Sequence, residues 1–187
     1  MIDPTNRTTI MIYSNNLIDL LMVCQMVSPT SSNVLSQFTY NSQHLPLRVV
    51  DAAGQTNSFG YNTNGLLLAA TNALGETATL NYDTNSYLTD IVVGKSPLFA
   101  TNSFTYDGYG RLRTSTDTAG YTLTFDYDAL DRPTKVTYPD GTYDQVVYRL
   151  LDPVLRKHRR GHWAATTYDP LRRVTDIQDS LGERVGS

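Results

Sequence analysis

The residues that could carry chemistry in this chain are three histidines, one cysteine, a scatter of paired acids and one dense basic run. His44, His158 and His162 share no metal-ligand spacing with one another or with Cys24, so no metal set is expected. A nucleophile dyad of Cys24 and His44 would need His44 free to act as base. His44, however, stands at a turn position that glycine holds at Gly65 and Gly110. Asp126 and Asp128 recur with the rest of the pattern described below, and Asp107 and Asp128 precede Arg111 and Arg132 by four residues, which gives them turn and ion-pair roles. The run Arg156-Lys-His-Arg-Arg160 could meet an anion such as nucleic acid, phospholipid or an acidic cargo. It lacks interleaved aromatics and any nucleic-acid motif, and the net charge is −3, so it reads as a solvated strand face and hairpin end. Asp144, Asp152, Asp169 and Asp176 are its expected counter-charges. No catalytic, cofactor-binding or metal-binding residue is expected. The places left for an enzyme site are the segment from Gly94 to Asn102 and the basic run itself.

The elements that position these residues follow from a period. Tyr40, Tyr61 and Tyr82 are 21 residues apart, as are Tyr106, Tyr127 and Tyr148; Tyr82 to Tyr106 is 24 and Tyr148 to Tyr168 is 20. Gly54, Gly75, Gly120, Gly141 and Gly182 each fall 14 residues after a tyrosine of the series, and Gly161 falls 13 after Tyr148. A short fixed period means units that bury their apolar faces only against neighbours, not a domain closed around one core.

Each unit reads as a β-hairpin. Asp51-Ala-Ala-Gly54, Asn72-Ala-Leu-Gly75, Asp117-Thr-Ala-Gly120 and Asp179-Ser-Leu-Gly182 have an Asx residue that bonds forward to the backbone and a glycine that enters the left-handed region without steric cost. A second turn follows each tyrosine: Asn62-Thr-Asn-Gly65, Asp107-Gly-Tyr-Gly110, Asp128-Ala-Leu-Asp131 and Asp169-Pro-Leu-Arg172. Between turns, Tyr121, Leu123, Phe125 and Tyr127 alternate with Thr122, Thr124 and Asp126, as a half-buried strand requires. Leu67, Leu88, Leu112 and Val174 lie six residues after their tyrosines and open the return strand, with Pro46 and Pro133 at the same place in other units. The tyrosines themselves are expected to stack on their counterparts with hydroxyls at a wet edge.

The expected fold class is all-β: one array over residues 1–187 of antiparallel β-hairpin repeats forming a curved, spiralling sheet. Residues 1–37 form a degenerate first repeat, 38–187 the clear repeats, and 92–102 an inserted loop. In the first repeat Asp3-Pro-Thr-Asn6 is the turn and Leu17–Val23 the return strand. A signal peptide over Leu17 to Val27 is the rival reading; Asp19 and Gln25 interrupt it, Arg7 is the lone upstream cation, and no membrane span is expected. The single Cys24 can form no internal disulfide.

Tyr106-Asp-Gly-Tyr-Gly110-Arg-Leu112, then Asp117-Thr-Ala-Gly120 and Phe125-Asp-Tyr127-Asp128, resemble the YD repeat of the RHS (rearrangement hotspot) proteins, among them the C components of Tc toxins, wall-associated toxins and teneurins. The resemblance covers roughly residues 38–187 and departs from the pattern at Asn41, Asn62, Ser86 and Arg149. It implies a structural shell segment, secreted or at the cell surface, that helps to encapsulate or present a C-terminal toxin or effector. Its implied partners are further repeats or the core domain of the same or a neighbouring polypeptide, with self-association through exposed strand edges. The other class is a carbohydrate- or cell-surface-binding repeat module. Its aromatic content is 13 tyrosines against the single Trp163.

Overall fold

The computed structural model describes residues 7–182 and 184–186. Among these, every regular element is a strand, so no helix is long and apolar enough to cross a membrane. The chain divides into two compact units, Met1–Tyr82 with Asp90–Thr101 and Asp83–Thr89 with Asn102–Ser187.

The first unit contains β1 (Thr9–Tyr13), β2 (Leu20–Ser28), β3 (Ser31–Tyr40), β4 (Pro46–Asp51), β5 (Thr56–Tyr61), β6 (Leu67–Thr71) and β7 (Thr77–Tyr82). Each pairs antiparallel with the next. β8 (Leu88–Lys95) and β9 (Leu98–Tyr106) follow and contribute residues to both units. The second unit continues with β10 (Leu112–Thr116), β11 (Thr122–Tyr127), β12 (Pro133–Thr137), β13 (Tyr143–Arg149), β14 (Asp152–Lys157), β15 (Trp163–Tyr168), β16 (Val174–Asp179) and β17 (Arg184–Gly186), again paired in chain order.

The return strands open where the period puts them, at Pro46, Leu67, Leu88, Leu112, Pro133 and Val174. The alternation holds as well: Phe125 faces Val136 across the ladder and Leu123, two residues earlier on β11, lies on their side, while Asp144, opposite Val136, brings one acid to it. On the other side Thr105, Thr114, Thr124 and Thr137 are successive cross-strand neighbours, the β-branched lining that a pleated, half-exposed surface favours. Within each unit strands touch only their chain neighbours, and among the described residues Cys24, 3% exposed, is the only buried hydrophobic. Each unit is therefore an antiparallel layer with its apolar side chains half-buried.

Two expectations change. The segment 92–102 is strand, with only residues 96–97 between β8 and β9. Gly94 makes this possible: at φ 151° its missing side chain leaves room for the Leu98 carbonyl, which would lie 2.2 Å from a Cβ. The three extra residues of the 24-residue interval lengthen the strands to eight and nine residues instead of looping out. In the first repeat the return strand begins at Leu20, not Leu17, because Leu17 is the left-handed turn residue at φ 59°. The turn expected at Asp3–Asn6 lies outside the described residues.

Candidate functional site

The repeated side-chain arrangement at the hairpin ends is the most organised feature of the chain, and it starts from the turns. Asn41, Asp51, Asn62, Asn72, Asp83, Asp107, Asp117, Asp128 and Asp169 each accept N–H bonds on Oδ1 from the residues two and four later, at 2.8–3.1 Å. One carboxylate or amide oxygen thereby satisfies two donors that the turn would leave unpaired. The residue three after each Asx is left-handed whether or not it is glycine. His44 (φ 62°), Ser86 (67°), Asp131 (60°) and Arg172 (63°) occupy the place of Gly65 (80°) and Gly110 (80°). His44 is thus a turn residue, as its position implied.

Five tyrosines of the series sit where the register slips, between Thr39 and Tyr40, Gly60 and Tyr61, Asp126 and Tyr127, Val147 and Tyr148, and Thr167 and Tyr168. A bulge interrupts the ladder beside the residue that opens the return strand. The carbonyl of that residue is the one the next tyrosine reaches: Tyr82 donates to Leu67 O, Tyr106 to Leu88 O and Tyr127 to Leu112 O at 2.8–3.0 Å, with Tyr148 to Pro133 O at 3.5 Å, while Tyr168 donates to Pro153 O, the second residue of β14, at 3.0 Å. Tyr40 reaches Leu20 O at 3.0 Å. The rungs are hydroxyl-to-backbone bonds, not the ring-on-ring stacks with wet hydroxyls expected from spacing. Among the described residues one tyrosine pair is stacked, Tyr87 on Tyr106 at 4.9 Å, and it joins a turn residue to a rung. Burial raises the pKa of the Tyr40 and Tyr106 phenols, and the negative charges of Asp19 and Asp83 add to the rise.

In the second unit arginine ties one hairpin end to the next. Arg111 pairs with Asp107 at 2.7 Å, lies 4.8 Å over the Tyr127 ring and donates to Asp128 O and Asp131 Oδ1 of the following turn. Arg132 repeats this with Asp128 at 2.6 Å, the Tyr148 ring at 4.0 Å and Leu150 O at 2.7 Å. Arg173 pairs with Asp169, and Arg172 reaches back to Asp152, both at 2.7 Å. Burial pushes the Asp107 carboxyl up, but bonds from Arg111 backbone and side chain outweigh it and its pKa falls. The Arg132 side chain lowers Asp128, and the Arg173 backbone N–H leads the lowering of Asp169. Spacing shows the Asp107–Arg111 and Asp128–Arg132 pairs; the second contact of these two arginines, onto the ring and carbonyls of the next hairpin, carries no signal in local sequence.

The other residues considered for chemistry are dispersed. Cys24 is a buried core residue, and His44 bonds Asp19 at 3.0 Å. His158 and His162 close a turn through backbone bonds. Among the described residues no group of three or more His, Cys, Asp and Glu side chains could hold a metal. The basic run is part of the scaffold, with a correction to its counter-charges: Arg159 pairs with Asp140 at 2.7 Å, while Asp152 and Asp169 serve Arg172 and Arg173. Of the four acids expected there, Asp144 does meet the run, accepting the Arg159 N–H at 2.6 Å and standing 4.0 Å from His158 Nε2.

Comparison with known proteins agrees with this geometry. The RHS Repeat profile matches residues 106–143 and the Teneurin YD-shell profile matches residues 2–102. No curated protein sequence matches. The fold is similar to chains in the crystal structures of TcdB2-TccC3-Cdc42 (13% identity, TM-score 0.54, 94% of this chain), of TcdB2-TccC3 without its hypervariable C-terminal region (14%, 0.53, 94%) and of TcdB2-TccC3 (13%, 0.53, 92%). This chain spans 12% of the length of each. With the YD-shell profile covering more than half of its residues and the same turn and tyrosine geometry running through both units, the chain belongs to the teneurin YD-shell family of RHS-type repeat proteins.

Proposed function

We propose that this chain is a wall segment of a YD-repeat shell, and that the assembled shell encloses or presents a C-terminal toxin or effector while the wall performs no chemistry. One observation carries the reading: a 187-residue chain with Cys24 as its only buried hydrophobic among the described residues spends its side chains on joining hairpins, not on enclosing a pocket. β1 keeps Ile10, Met11 and Ile12 38–47% exposed, which suits pairing with further repeats or with a core domain, and self-association when the chain is alone. A secreted or cell-surface location belongs to the same reading.

The test is protection. The chain is co-expressed with the polypeptide encoded downstream and challenged with protease. Survival of that polypeptide only when the chain is present supports the wall role, and equal digestion with and without it overturns the role. Light scattering on the isolated chain should show association; a stable, compact monomer counts against edge pairing.

Carbohydrate or cell-surface binding is the second reading. The observation that favours it is Trp163, 39% exposed in the second unit.

A further inference from the structure

Lys135, Gln145, Lys157 and Trp163 are consecutive cross-strand neighbours on β12, β13, β14 and β15, so their side chains form one row on the polar side of the second unit. Tyr143, two residues before Gln145, stands beside the row on the same side. Both lysines converge on it. The Lys157 ammonium is 4.3 Å and the Lys135 ammonium 4.5 Å from the ring centroid, and Lys157 donates to the Tyr143 hydroxyl at 2.8 Å. That bond, with the charge of both lysines, lowers the phenol's pKa.

Neither ammonium has a carboxylate partner among the described residues. Asp126, directly across from Lys135, is taken by Arg113 at 2.5 Å, and the nearby Asp140 is taken by Arg159. Elsewhere in this unit Arg111, Arg132, Arg159, Arg172 and Arg173 are each neutralised by an aspartate. Two cations held a few ångströms from one ring and left without counter-charge are an anion site already organised. An ammonium has three donors, and Lys157 commits one of them to Tyr143. Trp163, directly across from Lys157, adds an exposed indole, and Gln145 adds an amide between the two lysines.

We infer that this row is a binding site for an acidic saccharide, with the sugar stacked on Trp163, its carboxylate or sulfate between Lys157 and Lys135, and its hydroxyls on Gln145. The inference rests on the carbohydrate-binding reading and narrows it to anionic sugars. Charge complementarity selects the anion, and an exposed indole beside the cations selects a ring with an apolar face over an acidic peptide.

Calorimetry on the full chain with oligogalacturonate, a heparin-derived oligosaccharide, a neutral malto-oligosaccharide and poly-glutamate tests it. An acidic saccharide should bind, more weakly as salt is added, and the neutral one should bind at least about tenfold more weakly. Oligogalacturonate and heparin fragments tell a carboxylate sugar from a sulfated one. Lys135→Gln and Trp163→Ala should each lower affinity by about tenfold, while Lys157→Arg, which keeps the charge, should retain most of it. Circular dichroism of each variant checks that the strands persist. Equal binding of the neutral sugar overturns the anionic site while leaving carbohydrate binding in place. Absence of binding to every saccharide overturns both, and poly-glutamate binding as tight as the sugars, unaffected by Trp163→Ala, overturns the saccharide in favour of an acidic peptide.

Discussion

The two units build the same hairpin from different side-chain chemistry. The first holds three of the fifteen lysines and arginines, Arg7, Arg48 and Lys95, and joins its hairpin ends with largely uncharged acceptors: Gln43 Nε2 donates to Thr63 O at 2.8 Å and Lys95 Nζ to Leu74 O at 2.6 Å. The second uses Arg111, Arg132 and Arg172, each spanning from an aspartate or carbonyl in one hairpin to one in its neighbour. Both keep the left-handed turn residue and the tyrosine-to-carbonyl rung. The backbone device is common to both units, so it is what specifies the hairpin. The charged clasp is an addition.

If so, damage to the backbone device should cost more than damage to the clasp. The largest expected effect is at Gly110, which combines φ +80° with close packing: a Cβ there would lie 2.1 Å from the Tyr87 hydroxyl. Gly110→Ala forces Tyr87 off the Tyr106 ring as well as straining the turn, for a loss of about 2–3 kcal/mol. Gly120 has φ +81° with nothing within 4 Å, so Gly120→Ala should cost only about 1 kcal/mol. Urea melts of both variants measure the difference. Equal losses would mean that the Tyr87 contact contributes nothing.

Next comes the rung. Tyr127→Phe keeps the ring under Arg111 but removes the donor to Leu112 O, leaving a half-buried carbonyl unpaired for about 1 kcal/mol. Tyr82→Phe in the first unit removes the same bond to Leu67 O with no arginine overhead, and should cost about as much. A loss confined to the second unit would make the arginine, not the hydroxyl, the working part.

These tests also mark how far sequence reaches. Turn residues and strand starts were legible because each depends on one or two local residues: an Asx, a residue able to go left-handed, an apolar residue six places after tyrosine. The tyrosine hydroxyl's destination was not, because it is a carbonyl 15 residues back, exposed by a bulge in the preceding hairpin. The segment 92–102 departs from the loop its composition implies for a related reason. Its Gly-Lys-Ser-Pro composition reads as loop, and only the close approach at Gly94 shows that the extra residues extend both strands. Trp163 with Lys157 and Lys135 became a site only when strand register placed them in one row.

A smaller effect, spread over several pairs, separates the units by pH. Asp107, Asp128 and Asp169 have folded-state pKa values below their unfolded ones. Their contribution is fully present above the ordinary carboxylate pKa and is lost as pH falls through the depressed values. The same holds for Asp140 and Asp144, lowered chiefly by the Thr142 and Tyr138 hydroxyls. Among the described residues of the first unit only Asp19 is lowered, by Asn16 first and His44 less. Hydrogen exchange through the acid range should therefore show the second unit losing protection while the first keeps it; parallel loss would show that the clasps add no stability.

The smallest effect compares two non-glycine residues at the left-handed turn position. Ser86 (φ 67°) makes its turn bond through the backbone alone, whereas Arg172 (φ 63°) also holds Asp152 at 2.7 Å. Glycine at either site relieves left-handed strain, partly offset by a freer unfolded chain, so Ser86→Gly should stabilise by about 0.5 kcal/mol. Arg172→Gly obtains the same relief and loses its clasp, and should come out near neutral. Thermal melts of the two variants read the clasp as the gap between them. If Arg172→Gly stabilises as much as Ser86→Gly, the arginine contacts in the second unit are solvated pairs without stabilising weight, and the two units differ in composition but not in what holds them together.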